Sequence, residues 1–459
     1  MHTTKNKYRQ SILLLMLTIL LSISCETMIE VDPPTDRIDQ SEIYKDIATA
    51  KAALNNLYFK FAVSTTFNKS NPGTSFNLSL YTDELDFYGT NSSTMDIYEN
   101  NISDIHTTNN NWWNTSYHDV YTINAFIEGV RNSTLLDNNF KELALGEAYT
   151  LKALYYYYLT ILYGDIPYTS STDYNTNKNL KKISHNEVML KIESDLKTAI
   201  ELLDYSYRDP NKFYINKAVA EVLLTEILIQ QQRYEEAEKI AKNILDQGIY
   251  EIVPDLSKTF KKDARSTIWQ IAPRYTSDIT SEASLYIFSN FTWYSATMSH
   301  ELINSFDQND LRKKHWVKKI NINNQEFHQV YKYKNQQNNT DEFSIFYRIE
   351  QIYFHLAYSQ YMQGKNKEGL ATLNFIRNNR GLSDLPELNH QDFIKSFLKE
   401  SSKEFFTENG RRFFDLKLTN QLAILKINKP NFQPHHNLFP IPYRQLEINK
   451  NLLPNNPGY

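Results

Sequence analysis

The stretch KELALGEAYTLKALYYYYLTILYGDIPY, residues 141–168, most limits what this chain can fold into. Ala144, Ala148, Leu151, Tyr155, Tyr158 and Leu162 recur every three or four residues, so they share one stripe of a helix. The run Tyr155–Tyr158 makes the second half aromatic on nearly every side, which predicts a helix packed between other elements. Gly146, Ala148 and Ala153 are small enough to let a neighbouring helix come close. Gly164 supplies a left-handed residue that ends a helix, and Pro167 blocks its resumption. On these grounds alone the stretch is a core helix of an all-helical domain.

Composition agrees with helices. Only 11 Gly and 14 Pro in 459 residues is lean for a strand-and-turn protein. A net charge of −4 argues against nucleic acid as a general partner. The chain has no glycine-rich phosphate loop, no His-Glu-x-x-His, no Gly-x-Ser-x-Gly and one cysteine, so the common cofactor, metal and nucleophile signatures are missing and no cofactor is expected. The 32 tyrosines allow two readings, helix–helix filling or exposed stacking platforms.

Residues 1–24 read as a signal peptide. Lys5, Lys7 and Arg9 precede an apolar run from Ile12 to Ile23, too short to span a membrane. Removing those three cations takes the charge from −4 to −7. Cys25 follows at once and cannot form an intrachain disulfide. LSISC resembles a bacterial lipobox, in which the cysteine receives diacylglycerol and further (palmitate-type) acylation. Leu21 stands one place further from the cysteine than usual, with Ser22 in its stead. Each buried CH₂ contributes ~0.8 kcal/mol, and more than one acyl chain gives stable anchoring. Residues 25–42 carry Glu26, Glu30, Asp32, Pro33, Pro34 and Asp36 and read as an acidic, extended tether.

From residue 43 to 459 the pattern is one helical domain with two excursions. Helices are predicted at Tyr44 to Phe61 and at 111–131, the second with its Trp112 and Trp113 stripe turned to the core. Ser184-x-x-Glu187 is a capping box that opens another. Residues 214–247 form two helices joined at Gln232 and Arg233, with Ala237, Ala241 and Ile244 on one face of the second. Residues 346–379 repeat the arrangement, with Gly364 near the turn and Gly369, Leu373 and Ile376 in the matching places. Helix–turn–helix in about 34 residues is the tetratricopeptide pattern, whose pairs must stack to bury their faces.

The excursions, 63–110 and 249–342, hold the candidate ligand residues. The first, rich in Asn, Ser and Thr, shows no sustained helical period. In it SLYTDELDFYGTN sets Asp83, Glu84 and Asp86 among Tyr81, Phe87 and Tyr88, flat faces and carboxylates of the kind a sugar site needs. The second has strand-like STIWQIAP at 266–273 and HQVYKYK at 328–334. Between them lie Tyr275, Tyr286, Phe288, Phe291, Trp293 and Tyr294, too closely spaced for a single core face. A solvated loop with incidental aromatics is the competing reading. Tyr81, Asp83, Glu84, Tyr88, Tyr286, Trp293 and Tyr294 are therefore the candidate ligand-binding residues, and Trp293, with the largest flat face, leads.

Several segments together resemble the SusD/RagB family. GEAYTLKALYYYYLTILYGDIPY resembles its central helix, and SFDQNDLR at 305–312 a Phe-Asp-x-x-Asp-x-Arg motif. KESSKEFFTENGRRFFDLKLT at 399–419 supplies Glu404, Glu408, Gly410, Arg411, Arg412, Asp415 and Leu416 of a further signature, and LFPIPYRQLEINKNLLPNNPGY matches the family's terminus. Buried Arg–carboxylate pairing is the reading for the 399–419 signature. Lys152 and Tyr358 depart from the family pattern, where Arg and Glu are common. The resemblance implies a mostly α, SusD-like fold, with a tetratricopeptide-like scaffold whose irregular loops and few short strands bear the ligand surface. It implies a lipid-anchored protein on the outer face of an outer membrane that captures oligosaccharide and passes it to a TonB-dependent, SusC-like transporter. Oligopeptides are the alternative ligand in the same role. A glycoside-active enzyme, with its carboxylates among Asp83, Glu84, Asp307 and Asp310, is a third reading. If Cys25 carries the anchor, Cys25→Ala shifts the protein out of outer-membrane fractions, and a variant that stays membrane-bound refutes it.

Overall fold

In the computed structural model, which describes residues 40–71, 73–275 and 277–459, helices carry the frame and short strands tie its excursions together. The signal segment 1–24, Cys25 and most of the tether lie outside the described residues. Gln40–Ile43 is a four-residue helical turn. Tyr44–Tyr459 forms one compact unit. Its principal helices are α1 (Ile47–Val63), α2 (Thr74–Tyr81), α3 (Ser92–Tyr98), α4 (Thr107–Asn132), α5 (Asn138–Tyr163), α6 (His185–Leu202), α7 (Lys217–Gln230) and α8 (Tyr234–Asp246). They continue with α9 (Ser281–Tyr286), α10 (His300–Ser305), α11 (Leu311–Trp316), α12 (Ile349–Met362), α13 (Asn366–Asn378), α14 (His390–Phe405) and α15 (Arg411–Leu418).

The aromatic helix is α5, and it is central. The Asp137 side chain accepts from the Phe140 N–H at its start, and Gly164, at φ 73°, ends it. Every residue from Gly146 to Tyr163 is buried. Such burial is tolerable for a tyrosine whose polar tip finds an acceptor. Tyr155 Oη donates to Asp119 Oδ2 at 2.8 Å, Tyr158 Oη to the Asn409 carbonyl at 2.9 Å, and Tyr156 Oη to the Thr169 carbonyl at 3.0 Å. Helices α4 and α6 pack along it.

The two tetratricopeptide-like pairs are α7–α8 and α12–α13, and they stack through α8 against α12. Ala237, Ala241, Leu373 and Ile376 are fully buried at the seams. Gln232 and Gly364 take positive φ, 60° and 81°, at the two turns. The second pair starts later than its spacing suggests. Ile345–Arg348 is a strand, so Phe346 belongs to that strand and the helix begins at Ile349.

Six strands form three antiparallel ribbons among the described residues: β1 (Leu85–Phe87) with β3 (Ala296–Met298), β2 (Thr267–Gln270) with β6 (Ile345–Arg348), and β4 (Val317–Ile322) with β5 (Gln325–Val330). The last is a hairpin turning on Asn323 and Asn324, both at positive φ as its tight turn demands. The strand expected at 328–334 therefore stops at Val330. Residues 63–110 also differ from expectation: they contain α2, β1 and α3. All eight residues of α2, TSFNLSLY, are buried, so the helix has no polar face to produce a period.

Charge clamps bind the C-terminal signature to this frame. Glu404 on α14 accepts from Arg348 Nη1 at 2.7 Å, Arg380 Nε at 2.9 Å and Arg312 Nη1 at 3.3 Å. Arg411 pairs with Asp415 at 2.8 Å and Glu226 at 2.9 Å, joining α15 to α7. The pairing expected for 399–419 is thus present and buried.

Candidate functional site

The two excursions meet in the β1–β3 ribbon, where Leu85 faces Met298, Asp86 faces Thr297 and Phe87 faces Ala296. Pairing runs on at both ends. At the base, the Ser299 N–H donates to the Glu84 carbonyl at 2.9 Å and Ser299 Oγ to the Asp83 carbonyl at 2.6 Å. At the tip, the Tyr88 N–H donates to the Ser295 carbonyl and the Asn91 N–H to the Trp293 carbonyl, at 2.9 and 3.2 Å. Gly89 lies between them, where a Cβ would sit 2.3 Å from the Trp293 carbonyl oxygen, so only glycine permits this approach. Asn91 then caps α3 by accepting from the Thr94 N–H.

An aromatic ridge stands at that tip. Tyr88 stacks on Phe291 with centroids 5.0 Å apart and planes 8° apart. Phe327 of β5 meets both rings edge-on, at 5.0 and 5.1 Å. Phe288 adjoins Phe291, and Tyr294 crosses Trp293 at 85°. Trp293 is 67% exposed, while Tyr88, Phe288, Phe291 and Tyr294 are half-buried. Along the strand, Asp86 shares a face with Tyr88 and accepts from Tyr98 Oη at 3.2 Å. Burial raises the Asp86 pKa. Lys429 sits 3.5 Å from the Tyr98 ring centroid, its pKa pushed down by burial to about 7, and donates to the Leu80 and Tyr98 carbonyls. The arrangement offers flat apolar faces beside a hydrogen-bonding carboxylate.

Not all the candidate residues gather here. Tyr88, Trp293 and Tyr294 do. Tyr81 does not, because it closes the buried helix α2, with its ring against Phe413 and Phe439 and its hydroxyl on the His436 carbonyl at 2.9 Å. Tyr286 is buried on α9 near Phe76. Glu84 is buried, accepting from Ser79 Oγ at 2.6 Å. These three cannot offer a surface to a ligand, which corrects their assignment. Asp83 accepts from Arg412 Nε and Nη2, at 2.7 and 2.6 Å, an attraction that outweighs its burial and lowers its pKa. Asp310 is likewise held by Arg312, and Asp307 pairs with Lys403. Asp86 and Phe291 stand in the two excursions but outside the candidate set drawn from them, and Phe327 and Tyr98 were not marked at all. Asp86 was within reach, since it alternates with Tyr88; nothing local marks Phe327 or Tyr98.

Comparison with known proteins gives the frame a lineage. Residues 30–228 match a SusD-like family described as "Starch-binding associating with outer membrane". SusD-like protein P2 from Formosa agariphila is 24% identical over 522 aligned positions, covering 99% of this chain and all of the relative. A SusD superfamily protein from Bacteroides vulgatus superposes with TM-score 0.77 at 18% identity, over 91% of this chain and all of that one. Surface glycan-binding protein A from Bacteroides thetaiotaomicron, solved with laminarihexaose, gives 0.76 at 16% identity, over 89% and 99%. The chain resembles the SusD/RagB family, in sequence over residues 30–228 and in fold over 91% of its length.

In this SusD-like chain no described helix is long and apolar enough to cross a membrane. Among the described residues no three His, Cys, Asp or Glu side chains are grouped to hold a metal ion. The ribbon's base instead stores an uncompensated carboxyl. Burial raises the Glu84 pKa to about 7, and its Oε1 has no partner. Its folded value exceeds the unfolded one of about 4.5, so the stability it contributes is full below pH 4.5 and is lost as pH rises to 7. Glu84→Gln should therefore match the parent near pH 4.5 and exceed it above pH 7, by about 3 kcal/mol at most. Denaturant midpoints across pH 4.5–8 that move in parallel for the two proteins refute this.

Proposed function

We propose that this chain is a surface glycan-binding lipoprotein, held on the outer membrane through Cys25, that captures oligosaccharide on the Tyr88–Trp293 ridge and passes it to a TonB-dependent transporter. Similarity to a family described as associating with the outer membrane supports the location, and the glycan-binding protein of similar fold supports the ligand class. The observation that carries the reading is Trp293, an indole left 67% exposed at the crest of a ridge whose other rings support one another. A lone exposed tryptophan is costly to solvate; one set edge-on to Tyr294, with Tyr88 and Asp86 further along the same ribbon, suits pyranose C–H faces and their hydroxyls. An open ridge buries little of its ligand. Each stacked ring contributes about 0.5–1.5 kcal/mol beyond area, so affinity should be micromolar or weaker.

Calorimetric titration with laminarihexaose and maltohexaose tests the ridge. Trp293→Ala should weaken binding of the better ligand at least about tenfold, with melting temperature unchanged. Unaltered binding, binding of neither sugar, or unfolding of the variant overturns the assignment. Delivery requires a partner: mild solubilisation with cross-linking should recover the mature protein with a large β-barrel transporter, and recovery only as a free lipoprotein counts against that step.

A further inference from the structure

A groove of about 850 Å³ opens between α8, α12, α14 and the segment that follows α15. Its size is that of a small-ligand site rather than of a standard protein–protein interface. Tyr358, Met362, Ile394, Leu398, Leu418 and Ile424 make its floor. On the rim stand four amides, Gln232, Gln391, Asn420 and Gln421, and two ammonium groups, Lys395 and Lys399. Among the described residues none of these four side-chain amides has a hydrogen-bond partner, and neither lysine is in an ion pair. Asp83 and Arg412, already bound to each other, close one end, and Glu301 is the only other carboxylate in the lining.

This chemistry is unlike that of the ridge. The floor is mostly aliphatic; of the two tyrosines in the lining, Tyr358 is buried and Tyr234, half-buried, meets it edge-on at 6.1 Å. Aliphatic walls accept branched side chains, and free amides match a peptide backbone, donor for acceptor and acceptor for donor. The lysines, one helical turn apart on α14, complement a carboxylate. We propose that the groove is a second binding site, for a short extended peptide with aliphatic side chains and a free carboxylate. The proposal does not depend on the ridge binding glycan.

The test is calorimetric titration with the hexapeptide acetyl-ALIALE, its uncharged counterpart acetyl-ALIALQ-amide, and decanoate. The acidic peptide should bind, and the uncharged one at least about tenfold more weakly. The double variant Lys395→Glu with Lys399→Glu, both exposed positions, should weaken the acidic peptide by a similar factor without changing melting temperature or laminarihexaose binding. Trp293→Ala should leave peptide binding intact, so the two sites fail separately. No binding of the acidic peptide, equal binding to the charge-reversed variant, or loss of binding in Trp293→Ala overturns the proposal. Decanoate binding without peptide binding overturns it too, and makes the groove an acyl-carboxylate site.

Discussion

Three guanidinium groups converge on one buried carboxylate, Glu404, and most of the C-terminal half depends on that convergence. Each buried charge costs several kcal/mol of lost hydration, recovered only when geometry and hydrogen bonds are complete. Arg312 comes from α11, Arg348 from β6 and Arg380 from the turn after α13, so these elements must arrive in one relative placement. The network spreads outward. Arg312 also grips Asp310 and Glu400, Arg380 reaches Glu350, and Lys332 with Arg348 holds Glu408. Burial opposes the charge of Glu400, yet Arg312 and Lys403 outweigh it and hold its pKa down to about 2. Swapping such groups for apolar ones need not cost stability, but apolar groups would accept more than one placement.

A separate ion pair ties the non-helical ribbon to the helical frame. Arg412 on α15 clamps Asp83, one residue before the carboxyl at the ribbon's base. The ribbon has three cross-strand pairs, few for a stable unit on its own. Its base is fixed by an ion pair and its tip by the packing of Tyr88, Phe291 and Phe327. Site geometry is therefore set by contacts between segments roughly two hundred residues apart in sequence.

Legibility from sequence followed periodicity. The aromatic helix and both helical pairs were readable because each repeats at helical spacing, while the Arg–carboxylate signature was read through the family resemblance. Helix α2 was not, since a helix buried on every side and made of Thr, Ser and Asn as well as Phe and Leu looks like a loop. Missing α2 misplaced Tyr81 and Glu84, which are in fact a helix end and the buried residue just before a strand. Neither 85–91 nor 288–298 carries a local mark of its meeting with the other, and Phe327 joins the ridge through a hairpin pairing that no local pattern encodes. The start of β5, by contrast, was misjudged by three residues because Asn323 and Asn324, at positive φ, set it.

The distribution of indoles gives the molecule a built-in optical reporter. The chain has five tryptophans. Trp112, Trp113, Trp269 and Trp316 are each 3% exposed or less, so their emission comes from a dry, rigid interior. Trp293 alone faces water, at the crest of the ridge. A soluble quencher such as iodide will collide with that one fluorophore and spare the rest, so the quenchable fraction of the signal follows occupancy of the ridge in unlabelled protein.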